Sequence, residues 1–182
     1  MSIANTQELF LHELTEIYDA EHRFLEGQAV MVNKATDQEL QRAIRNHIVQ
    51  TRQHIGNIEQ VFRELGQEPR RETSQVAQGL VSEAQQSMQE AQNDTLRDCA
   101  INAAVIKVEH FEIASYRGMV TGARLMGQSM VVNLLNANLQ QEEETAQTAE
   151  QSVEELLQKA QRAEEPEPEG LIDKVKDKLT GQ

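Results

Sequence analysis

Apolar residues recur along this chain in a four-three alternation, and the places where the alternation breaks divide it into four long helices and one shorter one. The first stretch carries Phe10, Leu14, Ile17, Phe24 and Met31 on one seam, with Leu11, Tyr18, Leu25 and Val32 beside it. That spacing belongs to a helix burying one face in a bundle. It starts near Asn5 or Thr6 and ends between Asn33 and Thr36. Asp37 is placed to cap a second helix with the stripe Leu40, Ile44, His47, Thr51, His54, Ile58 and Val61, which stops at Leu65-Gly66. A polar connection containing Pro69 leads to a shorter helix, about Ser74 to Glu90, whose apolar row is Val76, Leu80, Ala84 and Met88. Asn93-Asp94-Thr95 reads as a stop and restart. The third long helix then runs from about Leu96 to Leu125, and Gly127 interrupts the pattern. The fourth runs from about Gln128 to Ala163, with Val131, Leu135, Asn138, Ala146, Ala149, Val153 and Leu156 on its stripe.

Connection lengths select a topology. The first two helices are joined tightly, as are the last two, so each pair should be antiparallel. The span from Gly66 to Thr95 is long enough to run the length of a bundle. The expectation is an all-α, ferritin-like four-helix bundle with one long crossover carrying the extra shorter helix. The bundle domain should cover residues 1–163. Residues 164–182 read as an acidic, proline-containing linker and a short amphipathic tail.

Composition narrows the function. The 182-residue chain carries a formal net charge of −13, which would repel a phosphate backbone, so no nucleic-acid partner is expected. The one cysteine, Cys99, cannot form an internal disulfide, and a reducing, cytoplasmic setting fits. The N-terminal segment lacks the pattern of a secretory signal, and no apolar run reaches the length of a membrane span.

The chemistry lies where the stripes turn polar. Each long helix has a metal-competent residue near its middle: Glu21 on the first, Gln50 and His54 on the second, Glu109 and Glu112 on the third, Glu142 on the fourth. A buried ionised carboxylate is costly unless it is paired or binds a metal. Carboxylate oxygens with imidazole suit iron or manganese. The bland alternatives are boundary positions for single polar residues and a solvated face for Glu142, which lies in Gln140-Gln141-Glu142-Glu143-Glu144. His47 reads as a satisfied core or boundary histidine, and His12, His22 and His110 as boundary or solvent residues. Tyr18 and Tyr116 read as packing residues whose hydroxyls could bond a ligand carboxylate.

Three segments carry a resemblance: Tyr18-Asp19-Ala20-Glu21, His47-Ile48-Val49-Gln50-Thr51, and above all Lys107-Val108-Glu109-His110-Phe111-Glu112-Ile113-Ala114-Ser115-Tyr116. They resemble the YciE/YciF stress-protein family, which is ferritin-like and related to rubrerythrins. The resemblance covers about residues 7 to 160. It implies homodimers, a binuclear metal centre and a stress-related role, with Glu21, Glu109, Glu112 and Glu142 at the family's ligand positions. The chain departs from that pattern at two places. Gln50 stands where the family usually has a glutamate, with His54 where it often has a glutamine. Ala146 stands where an aspartate usually follows the last glutamate by one turn.

The expected function is that of a metal-carboxylate protein oxidising ferrous iron, or consuming peroxide or oxygen, in stress protection. Two irons are the first expectation, one iron or manganese the alternatives, with Glu109 as the central ligand. The competing expectation is a non-enzymatic stress protein acting through dimerisation or partner binding, with its buried acids structural. Residues 170–182 would be the docking element for a protein partner or shell.

Overall fold

A computed structural model describes residues 3–164. It contains α1 (Thr6–Lys34), α2 (Gln38–Glu64), α3 (Gln75–Glu90), α4 (Asp94–Leu125) and α5 (Ser129–Glu164). The linker and tail expected at residues 164–182 lie, apart from Glu164, outside the described residues. Among the described residues no helix is long and apolar enough to cross a membrane.

The helix boundaries follow from local chemistry. Asn5 caps α1 by accepting from the Glu8 N–H at 2.9 Å, while the Glu8 carboxylate accepts from the Ala4 N–H at 2.8 Å. Asp37, Ser74 and Asn93 cap α2, α3 and α4 in the same manner. Two helices end on glycines in the left-handed region, Gly66 (φ 66°) and Gly127 (φ 72°). In each case the next residue's N–H reaches back to the last turn, Gln67 to Phe62 O and Gln128 to Ala123 O.

The long helices close a ring in the order α1, α2, α5, α4, and α3 packs against α1 and α4. Neighbours in the ring are antiparallel. On α1 and α2, Tyr18 pairs with Glu59 and Gln28 with Thr51. On α2 and α5, Asn57 pairs with Asn138 and His54 with Gln141. The segment between α2 and α4 therefore runs from one end of the bundle to the other and carries α3 on the way. This is the ferritin-like arrangement expected from the connection lengths.

The seams of α1 and α2 bury the residues the periodicity picks out. One row of α3 differs. Val76 is 55 % exposed, and Ala77 is buried in its place. Of the sixteen residues of α3 only Ala77, Ala84 and Met88 are buried, with Leu80 and Val81 packed half-buried against the core beside them.

Two buried acids hold the chain's corners. Asp19 accepts from the Ser74 N–H at 3.0 Å, Arg71 Nε at 3.0 Å and Arg23 Nε at 2.5 Å, fixing the start of α3 to α1. Burial alone would raise its pKa; these donors outweigh that and hold the carboxyl below its usual range. Asp98 accepts from the Thr36 N–H (2.8 Å), the Thr36 hydroxyl (2.7 Å) and the Asp37 N–H (2.8 Å), pinning the α1–α2 turn to α4. Asp98→Ala strands these donors, and we expect a loss of about 2–4 kcal/mol, read as a lowered denaturation midpoint with the helical circular-dichroism signal retained.

Candidate metal centre

Between the two apolar clusters of the core lies a polar layer. One cluster contains Phe10, Leu14, Ile17, Phe24 and Ile58, the other Met31, Leu40, Ile44, Ile101 and Ala104. The layer holds Glu21, His47, His54, Glu109, Glu112 and Glu142, none more than 4 % exposed. Each comes from a seam position at mid-helix, so the spacing that builds the core also aims these side chains inward.

Their metal-ligating atoms form two groups. His47, Glu109, Glu112 and Glu142 offer one set, and Glu21, His54 and Glu142 the other, with the atoms of each set within 4.8 Å of one another. Glu142 is common to both, the place the sequence reading had given to Glu109. His54 Nδ1 lies 2.9 Å from Glu142 and 3.5 Å from Glu21. His47 Nε2 lies 3.1 Å from Glu109 and 3.8 Å from Glu142.

These contacts are close but not aligned as hydrogen bonds. His47 Nε2, His54 Nδ1, both oxygens of Glu112 and Glu142, and one oxygen each of Glu21 and Glu109 are buried without a hydrogen-bond partner. Buried polar atoms in a folded protein are almost always satisfied. Eight such atoms converging in one layer match the donor set of iron or manganese, so the residues fit a metal.

A second set of groups orients the first. The Tyr116 hydroxyl donates to Glu21 Oε1 and accepts from Asn138 Nδ2 at 3.0 Å. Asn138 also accepts from Asn57 Nδ2 at 2.7 Å. Gln141 Oε1 lies 2.7 Å from His54 Nε2, and Gln50 Oε1 3.3 Å from His47 Nδ1. Each amide thus takes the outer ring N–H of a histidine and leaves the inner nitrogen facing the carboxylates.

Five of the six sequence candidates come together: Glu21, His54, Glu109, Glu112 and Glu142. Gln50 does not join them; it is half-buried on the outer side of His47. Ala146 is buried and offers no donor. His47 belongs to the cluster, although its sequence context reads as core. The available signal is that it shares a stripe with His54, two turns away. His12 and His22 are half-buried and His110 is exposed, all away from the cluster.

Electrostatics follow from burial. Burial raises Glu112 well above the usual carboxylate range, and its three acidic neighbours add to this. Burial also raises Glu21, and pushes Glu109 up to about 8 against the pull of His47. For the histidines burial works downward, but adjacent carboxylates win: His47 rises to about 9 beside Glu109, and His54 to about 10 beside Glu142 and Glu21. Glu142 runs against its own burial and falls, because both imidazoles face it.

Fold and site together define a ferritin-like helical bundle with a buried carboxylate–imidazole layer. The chain belongs to the family described as "Domain of unknown function (DUF892)", which it matches over residues 5–162. It is 30% identical over 146 residues to the protein YciF of Escherichia coli (strain K12), covering 80% of this chain and 88% of that one. The crystal structure of the E. coli stress protein YciF matches with a TM-score of 0.82 at 27% identity, covering 86% of this chain and 99% of the other. YcfI from Rhodopseudomonas palustris matches with a TM-score of 0.80 at 32% identity, covering 82% and 95%. A Xanthomonas campestris pv. campestris structure, 24% identical with a TM-score of 0.71, shares the fold.

The raised groups give the metal-free protein a defined pH response. His47 and His54 move from 6.5 to about 9 and about 10, and Glu109 from 4.5 to about 8. The folded state therefore binds more protons than the unfolded chain across this window, and stability falls as pH rises. The His54 contribution is fully present below 6.5 and lost through about 10; His47 and Glu109 face each other and titrate as one pair, whose contribution is counted once and is lost by about 9. Urea midpoints measured in chelator should decline steadily from about pH 6 to about pH 10.

Proposed function

We propose that this protein is a metal-carboxylate stress protein of the YciF type, holding iron in the layer formed by Glu21, His47, His54, Glu109, Glu112 and Glu142. The observation that carries the proposal is the set of buried ligand-type atoms without hydrogen-bond partners. Two irons suit the two donor groups, which share Glu142. The four carboxylates then match the charge of two divalent ions, with both imidazoles neutral. Manganese fits the same donors. When bound, iron would supply one-electron exchange between its ferrous and ferric states, with dioxygen or peroxide as the oxidant and stress protection as the role.

The protein's own residues have separable tasks. Glu112 brings two unpartnered oxygens. Glu142 lies within reach of both imidazoles. Tyr116 fixes one oxygen of Glu21 and, through Asn138, ties α1 to α5. Gln50 and Gln141 hold the outer nitrogens, so that each imidazole can give up its inner proton when a cation arrives. Ligand uptake would thus release protons and weaken at low pH. The apolar clusters flank the layer on either side.

The alternative, in which the acids form a structural network, would have to hold Glu112 through a proton shared with another acid, Glu21, since no amide, hydroxyl or cationic donor reaches either of its oxygens. Protein grown with iron and purified without chelator should carry metal close to stoichiometric with the site, and added ferrous iron or manganese should raise the melting temperature by mass action. Absence of both effects overturns the proposal. Glu112→Met should raise metal-free stability by roughly 1–2 kcal/mol, since it removes an unpaired buried acid, while abolishing the metal-dependent gain. A loss of metal-free stability in this variant would favour the structural network.

A further inference from the structure

Where the two apolar clusters fail to meet, the bundle holds a cavity of about 160 Å³ that opens to solvent at a mouth marked by the exposed Val30, Glu39, Gln85 and Thr148. Met31, Leu40, Ile44, Ala84, Met88 and Val105 supply much of its wall, and at one end it reaches His47 and Glu109. Glu39 and Gln85 stand at the mouth; deeper in, the polar residues of the wall are already committed. Gln28 is bonded to Thr51, and Asn102 donates to the Ala149 carbonyl at 2.9 Å. The hydroxyls of Thr145, Thr148 and Ser152 each donate to a carbonyl one turn back on α5. A polar guest would give up its water bonds and find few replacements before the His47–Glu109 end. Apolar space of about this size can take up xenon or benzene.

We infer that this cavity is a binding chamber for a small uncharged apolar molecule, and that it admits dioxygen in preference to peroxide to the His47–Glu109 side of the layer. The chamber stands on its own geometry; the choice of dioxygen rests on the function proposed above. Peroxide carries two hydroxyl groups that the wall cannot satisfy, whereas dioxygen has no hydrogen bonds to lose. Ala84 on α3 and Ala43 on α2 line the chamber, and neither is in the ligand set. A larger side chain at either position would occupy the space without altering a donor.

Methionine-methyl NMR of the metal-free full chain under xenon tests the chamber. Met31 and Met88 line it, and Met130, half exposed on α5, serves as the reference. Met31 and Met88 should show saturable shifts that are lost in Ala84→Leu, or in Ala43→Leu should the first variant fold poorly. No saturable shift in the unaltered protein, or shifts that persist in both folded variants, overturns the chamber. Xenon bound by a chain that takes up no metal would remove the function proposed above and leave the chamber intact. In iron-loaded protein the filled variants should slow oxidation by dioxygen and leave oxidation by peroxide unchanged. Equal slowing of both, or of neither, overturns the preference for dioxygen.

Discussion

Six ionisable side chains at one level of a helical bundle constrain everything packed around them. Burial of an ionised carboxylate is unfavourable by several kcal/mol unless opposite charge or several donors compensate it. The same molecule shows what compensation looks like. Asp19 and Asp98 are as well buried as the layer, yet each accepts three hydrogen bonds from neighbouring chain segments. Those acids stabilise corners. Glu112 lies 1 % exposed, no amide, hydroxyl or cationic donor reaches either oxygen, and its charged neighbours are other acids. The contrast separates acids that hold the fold from acids that the fold holds, and the second kind requires a reason beyond stability.

In the absence of a cation, protons are the available compensation. Burial favours neutral Glu112 and Glu109, while charge attraction favours protonated His47 and His54. The layer thus lowers its negative charge by holding protons on acids and imidazoles alike. A divalent cation would do the same work from the centre of the cluster, displacing those protons. If the layer takes a cation as proposed, proton binding and cation binding would be alternatives at one set of atoms, each a competitor of the other. The orienting shell of Tyr116, Asn138, Gln141 and Gln50 lies outside this exchange and holds the geometry in either state.

Much of this was legible in the sequence because a bundle writes its core as a period. The α1 and α2 seams could be read residue by residue, and capping residues marked the starts of those two helices. The Gly66–Thr95 span implied the crossover. The α3 row was misjudged at Val76 because a short helix of small residues has little amphipathic contrast, so neighbouring rows look alike. His47 escaped because an imidazole on an apolar stripe looks the same whether its partner is a backbone group or a carboxylate; its partner, Glu109, comes from another helix. Glu142 was partly hidden inside a charge run, where only one of three consecutive glutamates faces inward. Gln50 lies one residue off the buried stripe, which places it behind His47 instead of within the layer.

The departures from the family pattern also acquire a physical sense. A glutamate at position 50 would add charge on the outer side of His47. The glutamine there can accept the ring N–H while leaving the layer's charge unchanged. An aspartate at position 146 would add a further acid one turn after Glu142, where this chain has a buried alanine. With both positions neutral, the acids within the layer are Glu21, Glu109, Glu112 and Glu142, and two imidazoles complete the donors. That number of carboxylates balances two divalent ions without surplus, whereas two further acids would have to be neutralised by protons or by a higher metal charge. Relative to the pattern that the resemblance implies, neutral residues at both positions would lower the negative potential of the layer while keeping two donor groups. A site tuned in this direction should favour the ferrous over the ferric state relative to a more acidic one, because each carboxylate removed weakens the stabilisation of the higher positive charge.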